Sequence, residues 1–144
     1  MAKDFKVYVD KLQEKIREED IRDHTEKIVN LFYNPINWGK PPKEDITVFA
    51  ERRGGPKEYF LGLYLKIEKD KIIKANFITD GCGVMVATGS QTTILIENKS
   101  INFAENLKPD DIDMALMGLP KEEKHCAHFV VETLKDLINM YKQK

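Results

Sequence analysis

Residues 59–83, YFLGLYLKIEKDKIIKANFITDGCG, decide the fold of this chain. They contain two apolar runs, 59–67 and 72–78, which are separated by a short polar turn. A turn of this kind between two β-rich runs predicts an antiparallel hairpin. In the first run an apolar residue stands at every second position from Tyr59 to Ile67, and this alternation predicts that one face of the strand lies against a core.

A third apolar run, residues 46–49, precedes the hairpin and completes a sheet. It is followed by Gly54-Gly55-Pro56, and glycine and proline at such a position predict a turn. The sequence therefore predicts a three-stranded antiparallel meander. The apolar face of such a sheet must be covered, and helices from the rest of the chain are the available cover.

Helical periodicity marks the segments on both sides of the sheet. Apolar residues spaced between charges predict two helices in residues 5–32, and the second ends by Asn34-Pro35 because proline disfavours helical conformation in the residue before it. The corresponding pattern after the sheet predicts helices at residues 84–96, about 109–117 and about 121–141. The predicted fold class is α+β, a three-stranded antiparallel sheet covered by helices, in a single domain of residues 1–144.

Composition excludes several classes of function. The 144 residues carry 23 basic and 24 acidic side chains, for a formal net charge of -1, and this balance predicts neither nucleic-acid binding nor a basic membrane-binding patch. The longest uncharged run, residues 81–96, is shorter than the ~20 apolar residues that a spanning helix needs. Two cysteines, with no secretory h-region near Met1, predict a reducing, cytoplasmic setting.

The chemistry that the sequence offers centres on Cys82, which lies between two glycines in Asp80-Gly81-Cys82-Gly83. The motif stands where the last strand gives way to a helix, and we interpret the glycines as residues that allow a backbone turn. The thiol would then lie at the first turn of the helix, where free N–H groups and the helix dipole favour the thiolate. Asp80 is interpreted first as the N-cap of that helix. Cys82 is a candidate metal ligand or nucleophile.

His125 and Cys126 form the second group of reactive side chains, near the start of the last helix. Iron and zinc favour thiolate and imidazole in tetrahedral sites, so Cys82, His125 and Cys126 would supply three ligands of four. The fourth position would be open to water, to a partner's thiol, or to one of three further side chains: Asp80, Glu58 or His128. The alternative is that both cysteines are small buried hydrophobic residues, the commonest environment of free cysteine.

From about residue 34 to residue 144 the chain resembles the IscU/NifU N-terminal family of iron–sulfur cluster assembly scaffolds. Gly81-Cys82-Gly83 after a strand resembles the family's second-cysteine motif. Leu119-Pro120 followed by Lys124-His125-Cys126 resembles its Leu-Pro and Lys-x-His-Cys motif. The resemblance implies a SufE/NifU-like fold for residues 34–144, preceded by residues 1–33 as an extended helical N-terminus.

The chain departs from this family at two places. Counting back from the middle strand puts Lys57 and Tyr59 where family scaffolds carry a first cysteine and an aspartate, so the chain offers no third cysteine. Lys57 would stabilise a thiolate or an anionic persulfide if it lay near Cys82; otherwise Lys57 and Tyr59 are interpreted as ordinary loop and edge residues. The family's Leu-Pro-Pro-Val-Lys segment is replaced by LPKEEK at residues 119–124, which argues against recognition by the family's chaperone.

The resemblance implies a non-enzymatic scaffold or carrier. Cys82, His125 and Cys126 would transiently hold an iron or zinc ion or a nascent [2Fe–2S] cluster, with sulfur from a cysteine desulfurase and delivery to apo iron–sulfur proteins. Two alternatives stay open: a SufE-like sulfur acceptor with a persulfide on Cys82, and a diverged member that has kept the fold and lost cluster assembly. A Cys82 nucleophile with His125 as base is a further thiol chemistry, although no oxyanion hole or orienting acid for hydrolysis is assigned.

Overall fold

The computed structural model describes residues 24–144, and the first of the two helices predicted in residues 5–32 lies outside this part of the chain. Within residues 24–144, three strands form one antiparallel sheet in the order β1-β2-β3. The strands are β1 (Val48–Gly54), β2 (Tyr59–Glu68) and β3 (Lys71–Thr79). The predicted three-stranded meander is confirmed.

The first strand begins later and runs further than the pattern of residues 46–49 predicted. Its second half is polar, and an edge strand tolerates this because one side of it faces no other strand. Arg52 donates to the Thr133 hydroxyl at 2.9 Å and pairs with Asp136 at 2.5 Å, which ties β1 to the last helix. The predicted turn follows the strand, with Gly55 at a φ of +76°.

The middle strand is buried on both faces at its centre, which corrects the single buried face predicted from its alternation. Residues 61–65 are all buried, and Tyr64, on the face opposite Leu63, is 1% exposed. Phe49 of β1 stacks on the Tyr64 ring at a centroid distance of 6.2 Å, and the Lys40 ammonium lies 5.7 Å from that ring. Side chains of β1 and of the preceding loop therefore cover the second face.

Five helices accompany the sheet in the described part of the chain. They are α1 (Glu26–Tyr33), α2 (Gly83–Ile96), α3 (Ile101–Glu105), α4 (Pro109–Ala115) and α5 (Lys124–Lys142). The helices predicted after the sheet are confirmed as α2, α4 and α5, and the predicted end of the helix before Asn34-Pro35 is confirmed by α1. The short α3 was not predicted, because five residues are too few to display a helical period.

The helices enclose one core against the sheet. α2 packs along β3, α1 packs along α2, and α5 contacts β1, α2, α3 and α4. One face of α5 is buried in this core, including Val130, Leu134 and Leu137. In residues 24–144 we find no helix whose length and apolar character would let it cross a membrane.

Candidate functional site

Cys82 lies between the end of β3 and the beginning of α2, and it is the N-cap residue of that helix. The backbone N–H groups of Val84 and Met85, which belong to the unpaired donors of the first helical turn, contribute to the lowered pKa of the Cys82 thiol. The side chain is partly buried. The predicted position of this thiol at a helix N-terminus is confirmed.

Asp80 does not cap α2, which corrects the role we predicted for it. One of its carboxylate oxygens accepts the N–H of Phe60 at 2.8 Å, and the other pairs with Arg53 at 3.0 Å. The bond from Phe60 and the guanidinium of Arg53 lower the pKa of the Asp80 carboxyl. Asp80 thus joins the end of β3 to β1 and β2, and its role as a fourth metal ligand stays a prediction.

The two glycines beside Cys82 allow close packing, whereas we had predicted that they allow a turn. Neither has a positive φ. A Cβ on Gly81 would lie 2.8 Å from the Met85 side chain and 3.0 Å from the Tyr59 ring. A Cβ on Gly83 would lie 2.5 Å from the Phe32 ring. The missing side chains therefore let Tyr59 and Phe32 lie directly against the backbone on either side of Cys82.

Cys126 is the third residue of α5 and is 1% exposed. Cys82 packs against the buried cluster that contains Cys126, and the two thiols interact. This interaction is the largest cause that lowers the pKa of Cys82, and together with burial it raises the pKa of Cys126. When the pair of thiols loses one proton, the negative charge therefore lies on Cys82, and Cys126 keeps its proton.

Tyr59, the first residue of β2, belongs to the site, although we had interpreted it as an ordinary edge residue. Its interaction with the Cys82 thiol, together with burial, raises the pKa of the Tyr59 hydroxyl to about 12. The phenol therefore keeps its proton and donates it toward the Cys82 sulfur. One signal in the sequence could have identified Tyr59: counting back from the middle strand, it stands where the family that the chain resembles carries an aspartate.

His125 stands beside the thiol pair. Its Nδ1 atom lies 3.6 Å from the Cys126 sulfur, and its ring centroid lies 6.5 Å from that of Tyr59. Within residues 24–144, no three side chains of His, Cys, Asp or Glu are grouped so that they could hold a metal ion as they stand. The structure thus brings Cys82, His125 and Cys126 into one region, and their roles as ligands stay predictions.

The further candidates lie around the edge of this region. Lys57 is exposed, and the charge of its ammonium opposes the larger effects that raise the pKa of Cys126. Glu58 has a φ of +53° in the turn before β2, and its carbonyl oxygen accepts a hydrogen bond from Arg53 at 3.0 Å. The side chains of Glu58 and His128 are exposed. Their roles as a fourth ligand also stay predictions.

A cleft of about 360 Å³ opens onto Cys82. Its lining is mostly apolar and comes from α1 and from the start of α2: Ile28, Val29, Phe32, Tyr33, Gly83 and Val84. At one end His24 Nε2 lies 3.1 Å from a carboxylate oxygen of Glu123, and the charge of Glu123 contributes to the raised pKa of Cys126. We did not predict Glu123 as a site residue, because nothing but its place two positions before His125 marks it in the sequence.

The chain was compared with known proteins. The model of the NifU-like N-terminal domain family matches residues 23–144. An iron–sulfur cluster assembly enzyme IscU of Drosophila melanogaster is 35% identical over 121 residues, which cover 83% of this chain and 78% of the relative. An iron–sulfur cluster assembly scaffold protein IscU of Aquifex aeolicus is 33% identical over 125 residues, 85% of this chain and 78% of the relative.

Solved structures have the same fold. A putative iron–sulfur cluster assembly scaffold protein for the SUF system of Fervidobacterium islandicum superposes with a TM-score of 0.61 at 18% identity, over 80% of this chain and 96% of that one. A NifU-like protein (N-terminal) of Brucella abortus gives a TM-score of 0.62 at 14% identity, over 83% of this chain and 94% of that one. At these identities the likeness shows the NifU-like fold alone.

Proposed function

This chain belongs to the NifU-like N-terminal domain family, and we therefore propose that it is a scaffold or carrier for the assembly of iron–sulfur clusters. The observation that carries the proposal is the convergence of Cys82 and Cys126 from the first turns of α2 and α5. Thiolates are the protein ligands that iron–sulfur clusters use. The cargo would be an iron or zinc ion or a nascent [2Fe–2S] cluster, bound transiently.

The proposed ligands are Cys82, Cys126 and His125, three groups where a closed site has four. The fourth position would be taken by water, by a partner's thiol or by one of the neighbouring side chains, Asp80, Glu58 or His128. An open position makes the site labile, and lability suits a protein that must hand its cargo to a recipient. Lys57 would act on an anionic cargo by attraction and would not ligate while it is protonated.

A second candidate function is sulfur acceptance, with a persulfide carried on Cys82. One observation favours it: Cys82 opens onto the cleft and carries the negative charge of the thiol pair, whereas Cys126 is buried behind it. A partly exposed thiolate is the form that attacks a sulfur donor. This candidate needs one reactive thiol and no metal.

The partners proposed from family membership are a cysteine desulfurase as the sulfur source and apo iron–sulfur proteins as recipients. Residues 119–124, LPKEEK, depart from the family's chaperone-binding segment, so we propose that the chain works without that chaperone. A cytoplasmic location is proposed because both cysteines are free and their proposed chemistry needs a reducing compartment. The proposed role is that of a carrier that is not itself an enzyme.

Anaerobic reconstitution tests the scaffold proposal. The chain is incubated with ferrous iron, cysteine and a cysteine desulfurase, and iron and sulfide are then measured after gel filtration. We expect bound iron and sulfide in the wild type, transfer to an apo-ferredoxin, and loss of both in Cys82→Ser. Lys135→Ala, which changes an exposed side chain of α5 that belongs to no proposed ligand set, is the control.

Two results would contradict the scaffold proposal. Equal iron content in wild type and Cys82→Ser would mean that the metal is bound elsewhere. A wild type that binds neither iron nor sulfide would favour the diverged member that has kept the fold and lost cluster assembly. Sulfur bound at Cys82 without iron would favour the sulfur acceptor.

A further inference from the structure

We propose that Cys82 and Cys126 act as a nucleophile and a resolving thiol, which release the outer sulfur of a Cys82 persulfide as sulfide and leave a disulfide between the two residues. The inference rests on the proposed function, because it begins with sulfur delivered to Cys82. It adds a reductive step that needs no iron and assigns a different role to each cysteine.

The first argument is the difference in access between the two sulfurs. Cys82 lines the cleft, whereas Cys126 is 1% exposed. A sulfur donor therefore reaches Cys82 first. Cys82 packs against the buried cluster that contains Cys126, and the two thiols interact, so a group placed on Cys82 has a second thiol close to it. This arrangement of an accessible attacking thiol and a shielded second thiol is suited to thiol–disulfide exchange.

The second argument is the set of donors that surround the Cys82 sulfur. The Tyr59 ring packs against Gly81, and the Tyr59 hydroxyl and the backbone N–H groups of Val84 and Met85 all favour the anionic form of this sulfur. Three donors stabilise the anionic sulfur that attacks the donor molecule.

The reaction balances as follows. The thiol proton of Cys126 passes to Nδ1 of His125, which lies 3.6 Å from the sulfur. The Cys126 sulfur then attacks the inner sulfur of the Cys82 persulfide, whose S–S bond breaks, and hydrosulfide leaves with the bonding electron pair. The outer sulfur is reduced to sulfide while the two cysteines are oxidised to a disulfide. An external dithiol reduces that disulfide by exchange and returns both thiols.

The experiment follows sulfur on the full chain in the absence of iron. The reduced, desalted protein is exposed anaerobically to cysteine persulfide and is then rapidly desalted again. Sulfide is measured against the donor alone, and the intact mass and the linked peptides are determined. For the wild type we expect about one sulfide released per chain and a Cys82–Cys126 disulfide, which dithiothreitol reverses.

Two variants separate the roles of the cysteines. Cys126→Ser should keep an adduct of one sulfur atom on Cys82. Its rate of sulfide release should be at most about one tenth of the wild-type rate. Cys82→Ser should form neither the adduct nor the disulfide. Because Cys126 is buried, the fold of its variant is checked by circular dichroism, and the disulfide in the wild type is a readout that needs no variant.

The inference is overturned if the wild type keeps a persulfide on Cys82 as long as Cys126→Ser does, or if its cysteines stay free while sulfide is released. Its failure is distinguishable from that of the proposed function. Iron and sulfide bound in reconstitution with no disulfide in this assay would remove the inference alone. A disulfide formed here by a chain that binds no iron would remove the scaffold proposal alone.

Discussion

At the scale of the residue, the reactivity of Cys82 is set by what its neighbours allow to come close. Gly81 lets the Tyr59 ring lie against the backbone, and the Tyr59 hydroxyl then reaches the sulfur. Gly83 does the same for Phe32, which lines the cleft. The glycines thus act on the chemistry through the rings that they admit.

Tyr59→Phe tests the contribution of the phenol. Removing a donor to the thiolate raises the pKa of Cys82, by about half to one unit for a hydrogen bond of about 1 kcal/mol. Alkylation by iodoacetamide proceeds through the thiolate, so the rate at mildly acidic pH should fall, and the two rates should converge at alkaline pH. The measurement is the rate of alkylation at Cys82 as a function of pH.

Tyr141→Phe is the control for this change. Its hydroxyl donates to Asp70 at 2.7 Å, away from the thiols, so its alkylation profile should match the wild type. Superimposable profiles for Tyr59→Phe and the wild type would show that the phenol does not act on Cys82.

At the scale of the element, the position of α2 depends on how closely it approaches β3. A Cβ on Gly89, in the middle of α2, would lie 2.6 Å from the ring of Phe77, which is fully buried. The helix therefore packs directly on an aromatic ring of the strand that precedes it. Because Cys82 caps this helix, its position depends on the same packing.

Gly89→Ala should destabilise the protein even though alanine favours helix. The gain in helix propensity is up to about 1 kcal/mol, whereas overpacking a core costs about 1–3 kcal/mol. We expect a net loss of about 1 kcal/mol in the free energy of unfolding, measured by urea titration.

Gly83→Ala in the same helix is the matched comparison. Its Cβ would meet Phe32, whose ring is partly exposed and can move outward, so the loss should be smaller. If Gly83→Ala lost as much stability as Gly89→Ala, the burial of the opposing ring would not be the cause.

At the scale of the whole molecule, the segment that leads into α5 is held by a side chain of the neighbouring α4 and by one from the beginning of the described chain. Asp113 of α4 accepts the N–H of Leu119 at 2.5 Å and pairs with Lys124 at 2.6 Å. Thr25 at the start of α1 donates to the carbonyl of Leu116 at 2.7 Å. The start of α5, where Cys126 lies, is therefore positioned both by α4 and by a residue 91 positions before Leu116.

Asp113→Asn tests this connection through its pH dependence. The pair with Lys124 and the bond from Leu119 lower the pKa of the Asp113 carboxyl. A lowered pKa contributes stability at neutral pH that is lost as pH falls from the ordinary carboxyl value through the folded value. The free energy of unfolding of the variant should be lower by about 1 kcal/mol near neutral pH. Most of this comes from the hydrogen bond of Leu119, because an ion pair with an exposed lysine contributes little to stability.

Urea titrations near pH 7 and below pH ~4 measure the difference in free energy of unfolding between the wild type and Asp113→Asn. This difference should be smaller at the lower pH. The control is Glu132→Gln, which removes an exposed carboxylate on α5 and should have little effect at either pH. A loss of equal size at both pH values would mean that the Asp113 charge does not contribute.

Sequence periodicity predicted the sheet and the main helices, because alternation and helical spacing follow directly from how strands and helices expose side chains. The meeting of Cys82 with Cys126 was predicted from the resemblance and from the placing of each thiol at a helix start. Tyr59 was not predicted as a site residue because its ring reaches Cys82 only where Gly81 has no side chain. A glycine adds nothing to the pattern of polar and apolar residues from which such packing could be predicted. The prediction of Asp80 as an N-cap was wrong because a carboxylate before a helix can equally accept a hydrogen bond from the backbone of a neighbouring strand. Asp80 accepts the N–H of Phe60 in this way.

The burial of Tyr64 could not be predicted for a related reason. Its cover comes from Phe49 on a neighbouring strand and from Lys40 in a distant loop. Periodicity within one strand reports nothing about side chains that other segments bring to it. The same limit applies to Glu123, whose effect on the thiols depends on where the segment before α5 is held.

The contribution of α1 to the cleft has a consequence for handling this protein in air. Phe32 screens the Cys82 sulfur on one side although it is not a ligand and lies some fifty positions away in the chain. Dioxygen and chelators that enter through the cleft pass that aromatic ring on their way to the sulfur. The survival of bound cargo during purification should therefore depend on whether a truncated form keeps residues 24–33, even though every coordinating group would remain in it.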